Sequence, residues 1–433
     1  MTFKEATTYL YSLVNYEKKT SYKCDKEFSL DRINEVLGKL GNPEKAFRSV
    51  LVAGTNAKGS TACFLQALLV SNGYKTGLFT SPHLVLINER IRINDKLISD
   101  DDFARVMAVV KKESLNKLTF FEVLTVLAIV FFADEKVNVA VFEVGLGGRL
   151  DAVNVLPAIL SVITPVDIDH CALLGNDISV IAGEKAGIIK EGKSVVCAAQ
   201  KDEVGLVLCE EARRRKAHIV FVDDALPCFD VFESENSWDF KVRNGDSYSV
   251  SSCAHFQVGN ARLALLAADV LEKDYGFSFD YEKSRAGLAS VVWPGRCEVI
   301  AYENRKIVLD GAHNPHAAQA LAVEIGRKFA GEKKVIVFAA SADKDFDGVL
   351  KELSVLGEDI VVTQTSNSRA CSVEELAETG RKYFGNVSVE RNSLQALKRA
   401  CGVILDGVVL VVGSLYLVGE VKGFTLGTPK NMY

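Results

Sequence analysis

The run Ser49-Val50-Leu51-Val52-Ala53-Gly54-Thr55-Asn56-Ala57-Lys58-Gly59-Ser60-Thr61 decides the fold class. Its first part is a β-branched run, the pattern of a strand buried on both faces. The glycine turn that follows opens onto an apolar-periodic helix over 60–71. A strand, a glycine loop and a helix in that order gather backbone N–H groups and a helix N-terminus around an anion, so the loop reads as a phosphate cradle. Its candidate nucleotide contacts are Gly54, Thr55, Asn56, Ala57, Lys58, Gly59, Ser60 and Thr61. Lys58 reaches the β- and γ-phosphates, and a hydroxyl of Ser60 or Thr61 ligates Mg²⁺. The order Lys-Gly-Ser departs from G-x-x-x-x-G-K-[ST], and a glycine turn capped by Ser60 is the alternative. No Asn-Lys-x-Asp guanine-reading motif is present, which counts against a GTPase.

Outward from this run, strands over 75–79, 137–144, 159–164, 194–197 and 218–222 alternate with helices over 100–112, 120–132, 177–190, 202–216 and 256–275. That alternation implies βαβ crossovers and a mainly parallel sheet. A polar, alternating stretch over 226–252 predicts a small antiparallel patch. Pro294-Gly295 marks a turn and a domain junction. Beyond it, strands over 306–309, 334–338, 359–363, 387–390 and 408–412 alternate with helices over 313–329, 346–356 and 372–384. The chain is therefore an α/β protein with a larger domain over 1–293 and a smaller one over 294–433.

Composition narrows the class. With 433 residues, 48% hydrophobic and 25% charged, the chain has ample material for two cores. A net charge of −5 gives no basic footprint, so nucleic acid is not the expected partner. The ten cysteines are scattered without a C-x-x-C pair, which predicts reduced thiols in a cytoplasmic protein and no structural zinc. The greasiest stretch, 118–133, is broken by Glu122 and is shorter than the roughly 20 apolar residues that cross a bilayer. The first twenty residues carry no secretory signal pattern.

Three polar clusters follow predicted strands and converge on one sheet edge, where open α/β sheets bind ligands. Glu143 ends the strand over 137–144, ahead of Gly145-Leu146-Gly147-Gly148-Arg149. His170 follows the next strand in Asp167-Ile168-Asp169-His170, and Ser81-Pro82-His83 follows the strand over 75–79. A carboxylate at such a strand lip suits Mg²⁺, with capping of the glycine loop as the bland alternative. A lone histidine is more often structural than a ligand.

Taken together the motifs resemble the folylpolyglutamate synthases, often bifunctional with dihydrofolate synthase, of the Mur ligase superfamily. The resemblance runs over nearly the whole chain. It includes Val52 to Ser60, Thr80-Ser81-Pro82-His83-Leu84 with Asn88-Glu89-Arg90-Ile91, Glu143 to Ala152, and Glu184-Lys185-Ala186-Gly187-Ile188. Past the junction it takes in Trp293-Pro294-Gly295-Arg296, Asp310-Gly311-Ala312-His313-Asn314-Pro315, Asp343-Lys344-Asp345 and Gly413-Ser414-Leu415-Tyr416.

The resemblance implies a P-loop ATPase domain and a smaller Rossmann-like domain with the active site between them. By that analogy Ser60, Ser81, Glu143 and His170 hold two Mg²⁺ ions, and K⁺ accompanies them. Gln257 and Asn260 contact adenine, and Arg296, Asp310 and His313 reach the nucleotide from the junction and second domain. Lys185 is carbamylated, a solvated helix lysine being the alternative. Phe28, Ser29 and Leu30, with Ser81, Pro82, His83, Phe121 and Asp151, mark the pterin side. Lys58, Lys185, His170, His313 and Ser414 form the catalytic set. The implied reaction is ATP-dependent ligation of L-glutamate to dihydropteroate or a folate through an acyl phosphate, by a monomer of the cytoplasm acting on small molecules, away from nucleic acid and membranes.

Three departures stand out. Ala57 replaces a usual glycine, so that position is either helical or left-handed at a cost. Phe256 replaces a usual histidine, and Val153 a usual threonine. Two other readings stay open on sequence: a peptidoglycan Mur-type amino acid ligase, against which only 53 residues precede Gly54, and a P-loop module that binds nucleotide without ligation.

Overall fold

A computed structural model describes residues 1–18, 29–169, 175, 177–234, 237–404 and 406–425. The deciding run forms β1 (Arg48–Ala53), and its alternate side chains feed two cores. Leu51 and Ala53 pack with the helices Phe120–Asp134 and Ile178–Ala186 on one face. Val50 and Val52 pack with the helices Lys58–Ser71 and Phe256–Tyr275 on the other. A strand covered on both faces needs apolar residues at every position, which is why no alternation shows in its sequence.

Among the described residues β1 lies inside an eight-stranded sheet with β2 (Thr76–Phe79), β3 (Ile91–Ile93), β4 (Lys96–Leu97), β5 (Val139–Glu143), β6 (Leu160–Ile163), β7 (Ser194–Cys197) and β8 (His218–Phe221). The order is β4-β3-β2-β5-β1-β6-β7-β8. All pairings are parallel except the antiparallel β2–β3 and β3–β4. Chain direction thus turns outward on either side of β1, so the C-terminal ends of β1, β2, β5 and β6 border one crevice. The patch expected over 226–252 is a three-stranded antiparallel sheet of β9 (Cys228–Glu233), β10 (Trp238–Val242) and β11 (Ser247–Val250). Its alternation places Trp238, Phe240, Val242, Tyr248 and Val250 inward.

The second domain holds β12 (Glu298–Tyr302), β13 (Arg305–Leu309), β14 (Lys334–Phe338), β15 (Asp359–Val362), β16 (Asn386–Val389) and β17 (Val408–Val412) in the order β12-β13-β17-β14-β15-β16. Only β12–β13 is antiparallel. Alternate residues of β14 and β17 again serve two cores, Ile336, Phe338 and Leu410 in one and Val335, Val337 and Val409 in the other.

The boundary between domains is not a bare linker. Leu84 and Val85, after β2, pack into the second domain's core, as do Cys253 and Ala254, after β11. The elements that patterning does not single out are short or half-exposed. They include the β3–β4 hairpin, β12, and the helices Phe3–Ser12, Asp31–Lys39, Tyr281–Ala289, Ser393–Val403 and Leu415–Thr425. The turn between β12 and β13 runs through Glu303 and Asn304 at φ 46° and 60°, a tight hairpin turn without the usual Asn-Gly signal.

Candidate active site

Gly54 leaves β1 with φ 153°, and a Cβ there would lie 1.8 Å from Thr164 Oγ1, so no other residue fits. Thr164 closes over the loop by donating to the carbonyls of Asn56 at 2.7 Å and Ala53 at 3.2 Å. Thr55 is tied to the same segment, its hydroxyl donating to Asp167 O and accepting from Asp167 N–H. Ala57 takes the left-handed conformation, φ 68°, immediately before the helix Lys58–Ser71. Its side chain therefore costs on the order of 1 kcal/mol that glycine would not, and the helical alternative for this position is excluded. The first helical bond runs from Thr61 N to Ala57 O, which leaves the N–H groups of Lys58, Gly59 and Ser60 for a ligand.

Around this helix start the sheet edge supplies charge. Glu143, buried at the end of β5, accepts from Ser81 N–H at 3.0 Å through Oε2, and a Cβ on Gly59 would lie 3.3 Å from that oxygen. Burial raises the Glu143 carboxyl above its ordinary range against the pull of Lys58. Lys58 donates to Thr55 O at 3.0 Å, and burial lowers its ammonium, with Glu143 and Asp169 opposing. Ser60 faces the cavity and lies 3.5 Å from Gln257 Nε2, whereas the Thr61 hydroxyl is buried away from it with no hydrogen-bond partner.

Lys185 is not a solvated helix lysine. It is buried behind the loop and donates to Gly54 O at 2.9 Å. Burial first, and Lys58 second, lower its ammonium to about 7. Two glycines of the segment 145–148 allow close packing: a Cβ on Gly148 would reach Glu184 O at 2.5 Å, and one on Gly145 would reach the Phe121 ring at 2.7 Å.

The second domain completes the walls. Lys344 and His313 both reach Asp169, His313 Nε2 at 3.4 Å. Asn314 donates to Asn56 Oδ1 at 3.0 Å, and His316 faces Asn56 at 3.3 Å. Asp310 accepts from the N–H groups of Cys297 and Ala312, both at 2.7 Å. Gly311 leaves room for Arg296, whose guanidinium a Cβ would approach to 2.5 Å. Ser414 is buried and accepts from Tyr416 N–H at 3.2 Å.

These walls enclose one cavity of about 1040 Å³, with Gly54, Thr164, Lys185 and Asn314 outside its lining. Phe256, Gln257 and Asn260 line it, with Asn260 donating to Gln257 Oε1 at 2.8 Å. Ser29, Phe121 and Asp151 line it as well. Asp151 accepts from Leu146 and Val153 N–H, and burial raises it to about 6. Lys58, Glu143, Arg296, Asp310, His313 and Ser414 also line it, as do Ser81 and Pro82.

Several candidates stand elsewhere. His83 is buried outside the cavity wall and accepts from Arg90 Nε at 2.8 Å. Leu30 packs on the first core behind Ser29. Gly54 and Lys185 support the loop from behind. His170 and Phe28 lie outside the described residues. The structure adds wall residues not singled out from sequence: Asp169, Lys344, and the Arg32–Glu122 ion pair at 3.1 Å, which tethers the Ser29 turn to the capping box Thr119/Glu122. The capping box was open to sequence inspection; the pairing of Asp169 with Lys344 across 175 positions was not.

Among the described residues no three His, Cys, Asp or Glu side chains cluster at metal spacing. Glu143 with the Ser60 and Ser81 hydroxyls is a hard-oxygen set, the kind that holds Mg²⁺ when substrate phosphates complete the shell. No described helix is long and apolar enough to cross a membrane.

Comparison with known proteins gives this geometry its context. The Mur ligase, glutamate ligase domain family matches residues 295–415. The dihydrofolate synthase/folylpolyglutamate synthase of Bacillus subtilis is 34% identical over 91% of this chain and 94% of its own length. The Mycobacterium tuberculosis folylpolyglutamate synthase, solved with ADP and AMPPCP, superposes with a TM-score of 0.85 at 34% identity, covering 92% of this chain and 95% of that one. Escherichia coli FolC in complex with DHPP and ADP gives 0.85 at 27% identity, covering 99% and 98%. Agreement over the full length closes both the peptidoglycan-ligase and the non-ligase readings. The chain belongs to the folylpolyglutamate synthase/dihydrofolate synthase family, the ATP-dependent glutamate ligases built on the Mur ligase plan.

Proposed function

We propose that the cavity joins L-glutamate to the carboxylate of a pterin acid, dihydropteroate or a folate, by way of an acyl phosphate. One observation carries this reading: a single cavity is lined at once by the anion-binding helix start, by the amide pair Gln257 and Asn260, and by Phe121 with Asp151. ATP spans from Gln257 and Asn260 to the loop, and the pterin lies against Phe121 and Asp151. The acid thus meets the γ-phosphate beside Glu143.

A carboxylate is a poor electrophile, and its activation is mainly a matter of position and charge. The N–H groups of Lys58, Gly59 and Ser60, with the Lys58 ammonium, hold the triphosphate in line. Arg296, Lys344 and His313 approach the transferring group from the second domain and offset charge spreading over its oxygens. Mg²⁺, held by Ser60, Ser81 and Glu143, supplies Lewis-acid screening of those oxygens when bound. The amine of glutamate then attacks the acyl carbon, the tetrahedral oxyanion collapses, and phosphate leaves. His313 and Ser414 order the leaving phosphate and the incoming amino acid.

Lys185 carries a carbamate in this scheme. Its lowered ammonium provides a neutral amine near neutrality; this adds CO₂ and releases one proton, and the carbamate N–H still donates to Gly54 O. The new negative charge faces Lys58 and Lys344, which favours it. The unit of function in this reading is a monomer. The compartment in this reading is the cytoplasm, as the scattered cysteines of the sequence suggest.

The acceptor is settled by steady-state rates with dihydropteroate and with tetrahydrofolate, each with ATP, Mg²⁺, K⁺ and glutamate. Glutamate-dependent ADP release with at least one pterin acid is expected. ADP release with neither overturns the assignment.

A further inference from the structure

Cys253 and Cys297 are 44 residues apart in sequence, and their sulfurs meet at 2.7 Å. Cys253 follows β11 and stands just before His255, which begins the helix Phe256–Tyr275 along the cavity. Cys297 follows Arg296 at the junction; its N–H is held by Asp310 and its carbonyl lies 2.9 Å from Cys253 Sγ. Both side chains are buried in the second domain's core beside Ala254, Val308 and Ala312. The Cys253 segment thus enters the second domain's core from the first domain, and its sulfur there meets that of the junction residue Cys297.

We propose that Cys253 and Cys297 form a reversible disulfide that staples the two segments together and slows catalysis by restraining the cleft. The sulfurs are already in contact, so bond formation needs only that they close to the covalent separation of about 2.05 Å. A low-molecular-weight disulfide is the oxidant. One cysteine thiolate attacks it, forming a mixed disulfide and expelling a small thiolate. The second cysteine thiolate attacks the protein sulfur of that mixed disulfide, forms the Cys253–Cys297 bond and expels the second small thiolate. Two electrons pass to the oxidant, and the two protons of the protein thiols end on the small thiols.

The hydrogen bond with Cys253, and then burial, push the Cys297 thiol well above its ordinary range. The reduced pair is thus inert while the boundary stays closed and reacts as it opens. Two cavity-lining segments hang from this point, His255 to Asn260 on one side and Arg296 with Asp310 on the other. Fixing them together hinders the opening that substrate entry and product release require.

The test uses the full-length protein, treated with oxidised glutathione or with dithiothreitol. After oxidation, non-reducing peptide mass mapping should find the peptides of Cys253 and Cys297 joined and lighter by the two lost hydrogens. The thermal midpoint should rise, and the ligation rate should fall roughly tenfold and recover on reduction. Cys253→Ser should lose all three responses, with Cys297→Ser as the substitute should that variant not fold. Cys209→Ser, which removes an exposed thiol, should respond like the parent. Glutathione carried only as mixed disulfides, a joined pair without change in rate or midpoint, or a rate loss that persists in Cys253→Ser would each overturn the proposal. The crosslink and the thermal midpoint are read without the ligation assay, so they stand apart from the assigned reaction.

Discussion

At the scale of single residues, Lys185 and Glu143 are opposite cases of one effect. Burial disfavours the charged form of each, lowering the lysine to about 7 and raising the carboxyl. A lysine in an unfolded chain keeps its proton to about pH 10.4. Between about 7 and 10 the unfolded state therefore holds a proton that the native state lacks, and stability attributable to this group rises with pH across that window. Lys185→Met should gain thermal midpoint over the parent most clearly below pH 7 and progressively less above it; a constant gain across pH would refute the lowered value. Carbamate, which forms from the neutral amine, should grow in through pH 7 in ¹³C NMR with labelled bicarbonate and be absent in Lys185→Met. Glu143→Gln removes a buried charge, so its thermal midpoint should hold or rise while kcat/KM falls by about 10²-fold or more. Activity within a few-fold of the parent would remove Glu143 from the metal set. Residue positions were partly legible in sequence because Lys58 opens the helix after β1 and Glu143 ends β5. His83 shows the limit: two positions from Ser81, it turns away to Arg90, since neighbours in a loop need not share a face.

At the scale of elements, patterning located the buried parallel strands because burial on both faces demands continuous apolar runs. It found β1, β5, β14 and β17 within a residue or two and missed β12, whose alternate residues are exposed. The loop after β1 also depends on a distant element. Gly54 passes against Thr164 at the end of β6, a contact no local pattern encodes. Gly54→Ala should destabilise the fold by about 2–3 kcal/mol and abolish nucleotide binding measured by calorimetry. Wild-type affinity in that variant would show that the loop does not depend on this contact.

At the scale of the whole molecule, two α/β domains meet through apolar contacts at Leu84, Val85 and Ala254 and through a polar clasp at Asp169. The alternation of strands and helices foretold both domains, but the clasp joins Asp169 to residues of the second domain far along the chain and emerges only in three dimensions. Asp169→Asn should lower kcat by about tenfold and speed hydrogen exchange over 311–316; unchanged exchange would show that the clasp does not hold the domains. The central claim, that the acid is activated by phosphorylation before glutamate captures it, is tested most directly with the accepted pterin acid labelled with ¹⁸O in its carboxylate. One labelled oxygen is expected in the inorganic phosphate released for each amide formed. Phosphate without label, with amide formed, would contradict the account.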